Sequence, residues 1–105
     1  MCTMSLPKLV RDHIPDIIKS SGKECKYFKV SSKDHHMALL KEKMIEELEE
    51  FLEDPCEEEA GDMLEVFLLM LKIKGISFDA VQNTSYAKML ERGSFSHGIV
   101  LESVH

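Results

Sequence analysis

The sequence predicts a mainly α-helical chain: an antiparallel helical bundle carrying a small two-stranded β accessory. Three observations point there. Two long segments with apolar residues at helical spacing meet at a single break, Asp54-Pro55. A third helical segment lies between Ser77 and Gly93. Only two short stretches have β character, Cys25–Val30 and Gly98–Val104.

The elements follow in order. Asp12 suits an N-cap, with Pro15 in the first turn of a short helix that runs to about Ser21 and stops at Gly22. Cys25–Val30 is aromatic and β-branched, so it reads as a strand. Ser31, Ser32 and Asp34 are cap types and open a long helix from about Asp34 to Glu53. Pro55 suits the first turn of the second long helix, which ends near Lys74-Gly75. Ser77 caps a helix to about Glu91, closed by Gly93. Gly98–Val104 is expected to pair with the first strand, since a lone strand leaves its ladder groups unpaired.

The chain has 105 residues, enough for one domain spanning 1–105 and too few for two cores. No apolar run approaches the roughly 20 residues a bilayer span needs, so no membrane role is expected. The first seven residues lack the apolar stretch of a signal peptide, which makes the cytoplasm the expected location. Cys2, Cys25 and Cys56 are odd in number and far apart, and read as reduced thiols rather than a disulfide or zinc framework.

Charge is unevenly spread. Between Glu42 and Glu65 there are 12 acids and one base, Lys43, within a chain whose net charge is −6. A nucleic-acid polymer needs a basic stripe, and the dominant feature here is the reverse.

On helical wheels at about 100° per residue, the acids divide. In the first long helix Glu47 sits at the edge of the apolar arc, Glu50 lies about 60° beyond it, and Glu46 falls further round the polar side. Glu42, Glu49 and Glu53 point away. In the second, Glu59 and Asp62 fall inside the arc of Met63, Val66, Leu69, Met70 and Ile73. Acid-rich helices are commonly just solvated faces, and the helix dipole alone accounts for Glu57, Glu58 and Glu59. It accounts less well for Asp62 inside an apolar arc, where an unpaired carboxylate is costly.

The tight break makes the two helices antiparallel neighbours, so Glu47, Glu50, Glu59 and Asp62 converge at similar heights. Four oxygen donors with no His or Cys suit Mg²⁺ or Mn²⁺ rather than zinc. No His lies between His36 and His97, which excludes the Glu-x-x-His pairs of a di-iron bundle.

Glu46-Glu47-Leu48-Glu49-Glu50 followed by Glu59-Ala60-Gly61-Asp62 resembles the E-E-x-x-E … E-x-x-D signature of the all-α nucleoside triphosphate pyrophosphohydrolases. This superfamily includes MazG, the dimeric dUTPases and phosphoribosyl-ATP pyrophosphatase. Lys8-Leu9-Val10-Arg11-Asp12-His13-Ile14-Pro15 resembles the K-L-V-R-D-x-I-P start of a small MazG-like branch, and Glu91-Arg92-Gly93-Ser94-Phe95 its E-R-G-G-F end. Two departures stand out: eight residues separate Glu50 from Glu59, fewer than in larger MazG proteins, and Ser94 replaces the second glycine of the terminal motif.

The resemblance implies an all-α bundle of that type and a Mg²⁺-dependent hydrolase that cuts a nucleoside triphosphate between the α and β phosphates, in nucleotide-pool house-cleaning. It carries the metal-ligand role to Glu47, Glu50, Glu59 and Asp62, and a base or supporting role to Glu46. It also implies obligate homodimers or larger homo-oligomers. The leaving pyrophosphate needs basic side chains, for which Lys8, Arg11, Lys88 and Arg92 are the candidates, the last two sharing a face at i,i+4.

Oligomerisation has its own warrant in Met63–Leu71, which is apolar almost all round and presents Leu64, Leu68 and Leu71 opposite Asp62. Two other classes of function stay open at this point. One is a non-catalytic helical dimer whose acids hold a structural or regulatory divalent cation. The other is an acidic interaction module without a specific cation site.

Overall fold

The computed structural model describes residues 6–105, so Cys2 lies outside the described residues. It is mainly helical. Four helices follow one another: α1 (Ile14–Ser20), α2 (Lys33–Glu53), α3 (Glu57–Lys74) and α4 (Phe78–Arg92). None of them is long and apolar enough to cross a membrane.

Local chemistry sets the helix ends. The Ser32 hydroxyl accepts from the His35 N–H at 3.1 Å and starts α2. Ser77 does the same for α4 through the Ala80 N–H at 3.4 Å. At the end of α3, Gly75 takes φ 71°, and Ile76 N–H donates to Leu71 C=O at 2.9 Å. This is a Schellman-type stop that a Cβ would disfavour.

Two helix starts differ from expectation. Asp12 does not cap α1; His13 holds the N-cap position with no side-chain cap bond. Pro15 in the first turn has no N–H to satisfy, so one donor fewer asks for a cap. Pro55 stays outside α3, which Cys56 precedes in extended conformation. Asp54 leaves the helical region at φ −137° and ψ 78°, since the residue before a proline disfavours that region. Glu57, Glu58 and Glu59 then meet the positive end of the helix dipole.

The α2–α3 hairpin is the one extended helix–helix contact among the described residues. Its apolar centre is Leu40 at 2% exposure, with Val66 and Leu71 also buried. Neither α1 nor α4 buries a residue. The molecule is accordingly long, 61 × 31 × 27 Å, with a radius of gyration of 18.0 Å. A compact domain of this length has a radius of about 13 Å.

The two-stranded accessory is not formed: no strand occurs among the described residues. Around Cys25–Val30, the aromatic rings engage helices instead of a ladder. Phe28 stacks on His35 at 6.3 Å, and Lys19 lies 5.8 Å from the Tyr27 ring. Near the C-terminus Ile99, Val100, Leu101 and Val104 are all exposed. β character without a neighbouring strand leaves nothing for their backbone groups to pair with.

Candidate metal centre

The three-residue connection from Asp54 to Cys56 folds α3 back along α2. Glu47 and Glu50 project from the last turns of α2, and Glu59 from the first turn of α3. One carboxylate oxygen from each lies within 4.8 Å of the other two. Octahedral Mg²⁺, with bonds of about 2.1 Å, places its ligand oxygens roughly 3.0 to 4.2 Å apart. The trio's 4.8 Å limit is only slightly wider than that range.

The trio is short of partners. Glu47 is 5% exposed, and its Oε2 is buried without a hydrogen-bond partner among the described residues. The Oε2 of Glu59 is in the same position. Burial pushes the Glu47 carboxyl above its ordinary range; Lys43 pulls the other way, while the charges of Asp62, Glu50 and Glu46 add to the rise. Glu59 is also raised, first by desolvation, then by the Glu50 charge and a hydrogen bond with Glu50, then by Glu47 and Asp62. Unit charges at 4.8 Å repel by roughly 3–4 kcal/mol at an effective dielectric of about 20, a cost that a cation between the carboxylates would offset.

Two cations flank the cluster. Lys43 Nζ lies 2.9 Å from Glu46 Oε2 and 3.5 Å from Glu47 Oε1. Partial burial works against the Lys43 charge, but the hydrogen bond and charge of Glu46 and the presence of Glu47 outweigh it and raise its pKa. Glu46 is buried at 7% exposure, although the wheel sets it on the polar side. Its ion pair with Lys43 compensates that burial. The second cation is Arg11, which donates to Asp62 Oδ1 at 2.6 Å and to Glu65 Oε2. Bonds to these two carboxylates raise the Arg11 pKa further.

The structure thus brings together Glu47, Glu50 and Glu59 directly, with Asp62 beside them in the grip of Arg11. Among the described residues, Arg11 is the one basic candidate that pairs with the acidic group. Lys88 and Arg92 instead line an open groove on α4 with Ile76, Val81, Met89 and Phe95. Lys8 is half-buried near the start of the described chain.

Two contributors were not singled out from sequence. Lys43 was legible, since it stands at i,i+3 and i,i+4 from Glu46 and Glu47. Glu65 continues the one-turn spacing Glu59-x-x-Asp62-x-x-Glu65, but its pairing with a residue 54 positions away has no local signal.

No protein-family model matches the chain, and no curated protein or solved structure gives a significant match.

Proposed function

We propose that this chain is a Mg²⁺-dependent nucleoside triphosphate pyrophosphohydrolase that releases a nucleoside monophosphate and pyrophosphate, acting in the cytoplasm. One observation carries the reading: three carboxylates from two helices meet within 4.8 Å, two of them with a buried, unpartnered oxygen. Glu47, Glu50, Glu59 and Asp62 would hold the cation. All are hard oxygen donors, and Mn²⁺ fits the same set. A bound divalent ion polarises a phosphate oxygen and acidifies a water at neutral pH.

The chain's own residues do the rest. Glu46 accepts from Lys43, which also reaches Glu47, so this pair orients the Glu47 carboxylate. Lys8, Arg11, Lys88 and Arg92 supply positive charge for the triphosphate. The exposed α4 carries the last two to the site only when another element is brought against it. A second copy of the chain is the natural source.

That copy is supported by surface area. The chain exposes 9279 Å², against about 6,000 Å² for a folded monomer of 12.0 kDa. The excess, about 3,300 Å² per chain, is larger than one partner's share of a standard interface, so a large obligate interface accounts for part of it. Ile45, Leu48, Leu64, Phe67 and Leu68 on the hairpin are exposed. In our reading a partner hairpin covers them and completes an antiparallel bundle of the all-α pyrophosphohydrolase type. The β-prone segments 25–30 and 98–104 then acquire the neighbours they lack.

Pyrophosphate release from a panel of standard and modified nucleoside triphosphates, with Mg²⁺ or Mn²⁺, tests the assignment. We expect turnover of at least one substrate, abolished by Glu50→Gln and by Asp62→Asn with the helical content retained. Full activity in either variant, or no pyrophosphate from any substrate, rejects it. The second reading, a non-catalytic dimer with a structural or regulatory cation site, draws on the Arg11–Asp62 contact, which engages one of the four acids. Cation binding without turnover selects it.

A further inference from the structure

We propose that Arg11 is a tethered counter-cation that competes with a divalent metal for Asp62. The inference rests on the cation site proposed above and adds a regulator of its occupancy. Arg11 stands three residues ahead of α1, where Ile14 N–H donates to its carbonyl at 3.0 Å. From there its guanidinium spans one turn of α3, bonding Asp62 Oδ1 at 2.6 Å and Glu65 Oε2 together. The three-carboxylate group that can hold an ion comprises Glu47, Glu50 and Glu59. Asp62 is the member of the quartet that Arg11 withholds.

The contact is built to be displaced. The Arg11 side chain is 56% exposed and that of Asp62 29%. Exposed ion pairs hold weakly, and a divalent ion already gripped by three carboxylates attracts the fourth more strongly than a solvated guanidinium does. Glu65 gives Arg11 a place to stay after it leaves Asp62, since the guanidinium fork has further donors and Glu65 lies one turn along α3. Lys43 differs in this respect: it is mostly buried and tied to Glu46 and Glu47, so it belongs to the permanent frame.

Mn²⁺ binding, measured by titration calorimetry on EDTA-stripped full-length protein, tests the proposal without recourse to activity. Arg11→Ala is expected to tighten Mn²⁺ affinity about two- to fivefold, the range an exposed ion pair is worth. Arg11→Gln, which keeps most of the side-chain stem, is expected to do the same. Lys26→Ala removes an equal charge from an exposed position and is expected to leave the affinity unchanged. Unchanged or weaker affinity in both Arg11 variants overturns the proposal, as does equal tightening in Lys26→Ala. If wild type and all variants fail to bind Mn²⁺, the cation site itself is wrong and the competition falls with it.

Discussion

Glu47 on α2 and Glu59 on α3 face each other across the hairpin, and each keeps one carboxylate oxygen buried without a hydrogen-bond partner. Their oxygens and one of Glu50 lie within 4.8 Å. Such a pair is a poor way to stabilise a fold and a good way to bind a cation. Mg²⁺ is therefore expected to raise the melting temperature. At a hundredfold excess over Kd, binding adds about 2.7 kcal/mol. For a chain of this size that corresponds to roughly 10 °C or more. Glu47→Gln should remove most of the shift. Differential scanning calorimetry with and without Mg²⁺ measures it, and an unshifted wild type contradicts a specific site.

Without metal, the same two groups set a pH dependence. Both have folded-state pKa values above the ordinary 4.5. Between 4.5 and those raised values the folded chain holds more protons than the unfolded one. Stability from these groups is fully present below 4.5 and is lost as pH rises through their folded values. In EDTA, urea midpoints should fall as pH rises above 4.5, and less steeply in Glu59→Gln. Excess Mg²⁺ should reverse the trend, because the ligands must be deprotonated to bind. A wild-type slope identical to that of Glu59→Gln would remove the basis for this account.

The helical pattern was legible because it is local. The Ser32 and Ser77 caps, the proline break and the glycine stops each act within a few residues, and α2, α3 and α4 lie within a few residues of where those signals put them. The convergence of Glu47, Glu50 and Glu59 was also legible, since a tight hairpin converts two wheels into one geometry. Arg11 on Asp62 and Glu65 was not, because a pairing over 51 and 54 residues depends on how the N-terminal segment lies. The strand expectation failed in this single chain for a related reason. β propensity states what a segment tolerates, while a strand needs a partner at its side.

Leu40 is the most buried side chain of the described residues. Leu40→Ala should destabilise the protein by about 2–5 kcal/mol, through lost transfer free energy and a cavity between α2 and α3. The loss should appear as a lower urea midpoint with an unchanged m-value. Gly75→Ala acts by a different route. Nothing lies within 4 Å of the added Cβ, so the cost is the φ of 71° alone, about 1–2 kcal/mol. A loss under about 1 kcal/mol at Leu40 would mean that the hairpin's apolar centre lies elsewhere.

The exposed face of α3 leads to the remaining prediction. Leu64, Phe67 and Leu68 are exposed on a helix whose other face already packs on α2. The described residues offer them no cover, since α4 buries nothing and the segment after it is exposed. Sedimentation equilibrium at micromolar concentration should therefore give a homodimer or larger assembly. Its melting temperature should rise with protein concentration, as mass action requires. Leu68→Glu places a charge where the partner would desolvate it, and should shift the equilibrium to monomer while α2 and α3 keep their helical signal. Lys88 and Arg92 stand on α4, away from the acidic cluster, so under the proposed function the same variant should lose pyrophosphate release together with the dimer. A wild type that sediments as monomer throughout would separate the fold of this chain from the assembly inferred for it.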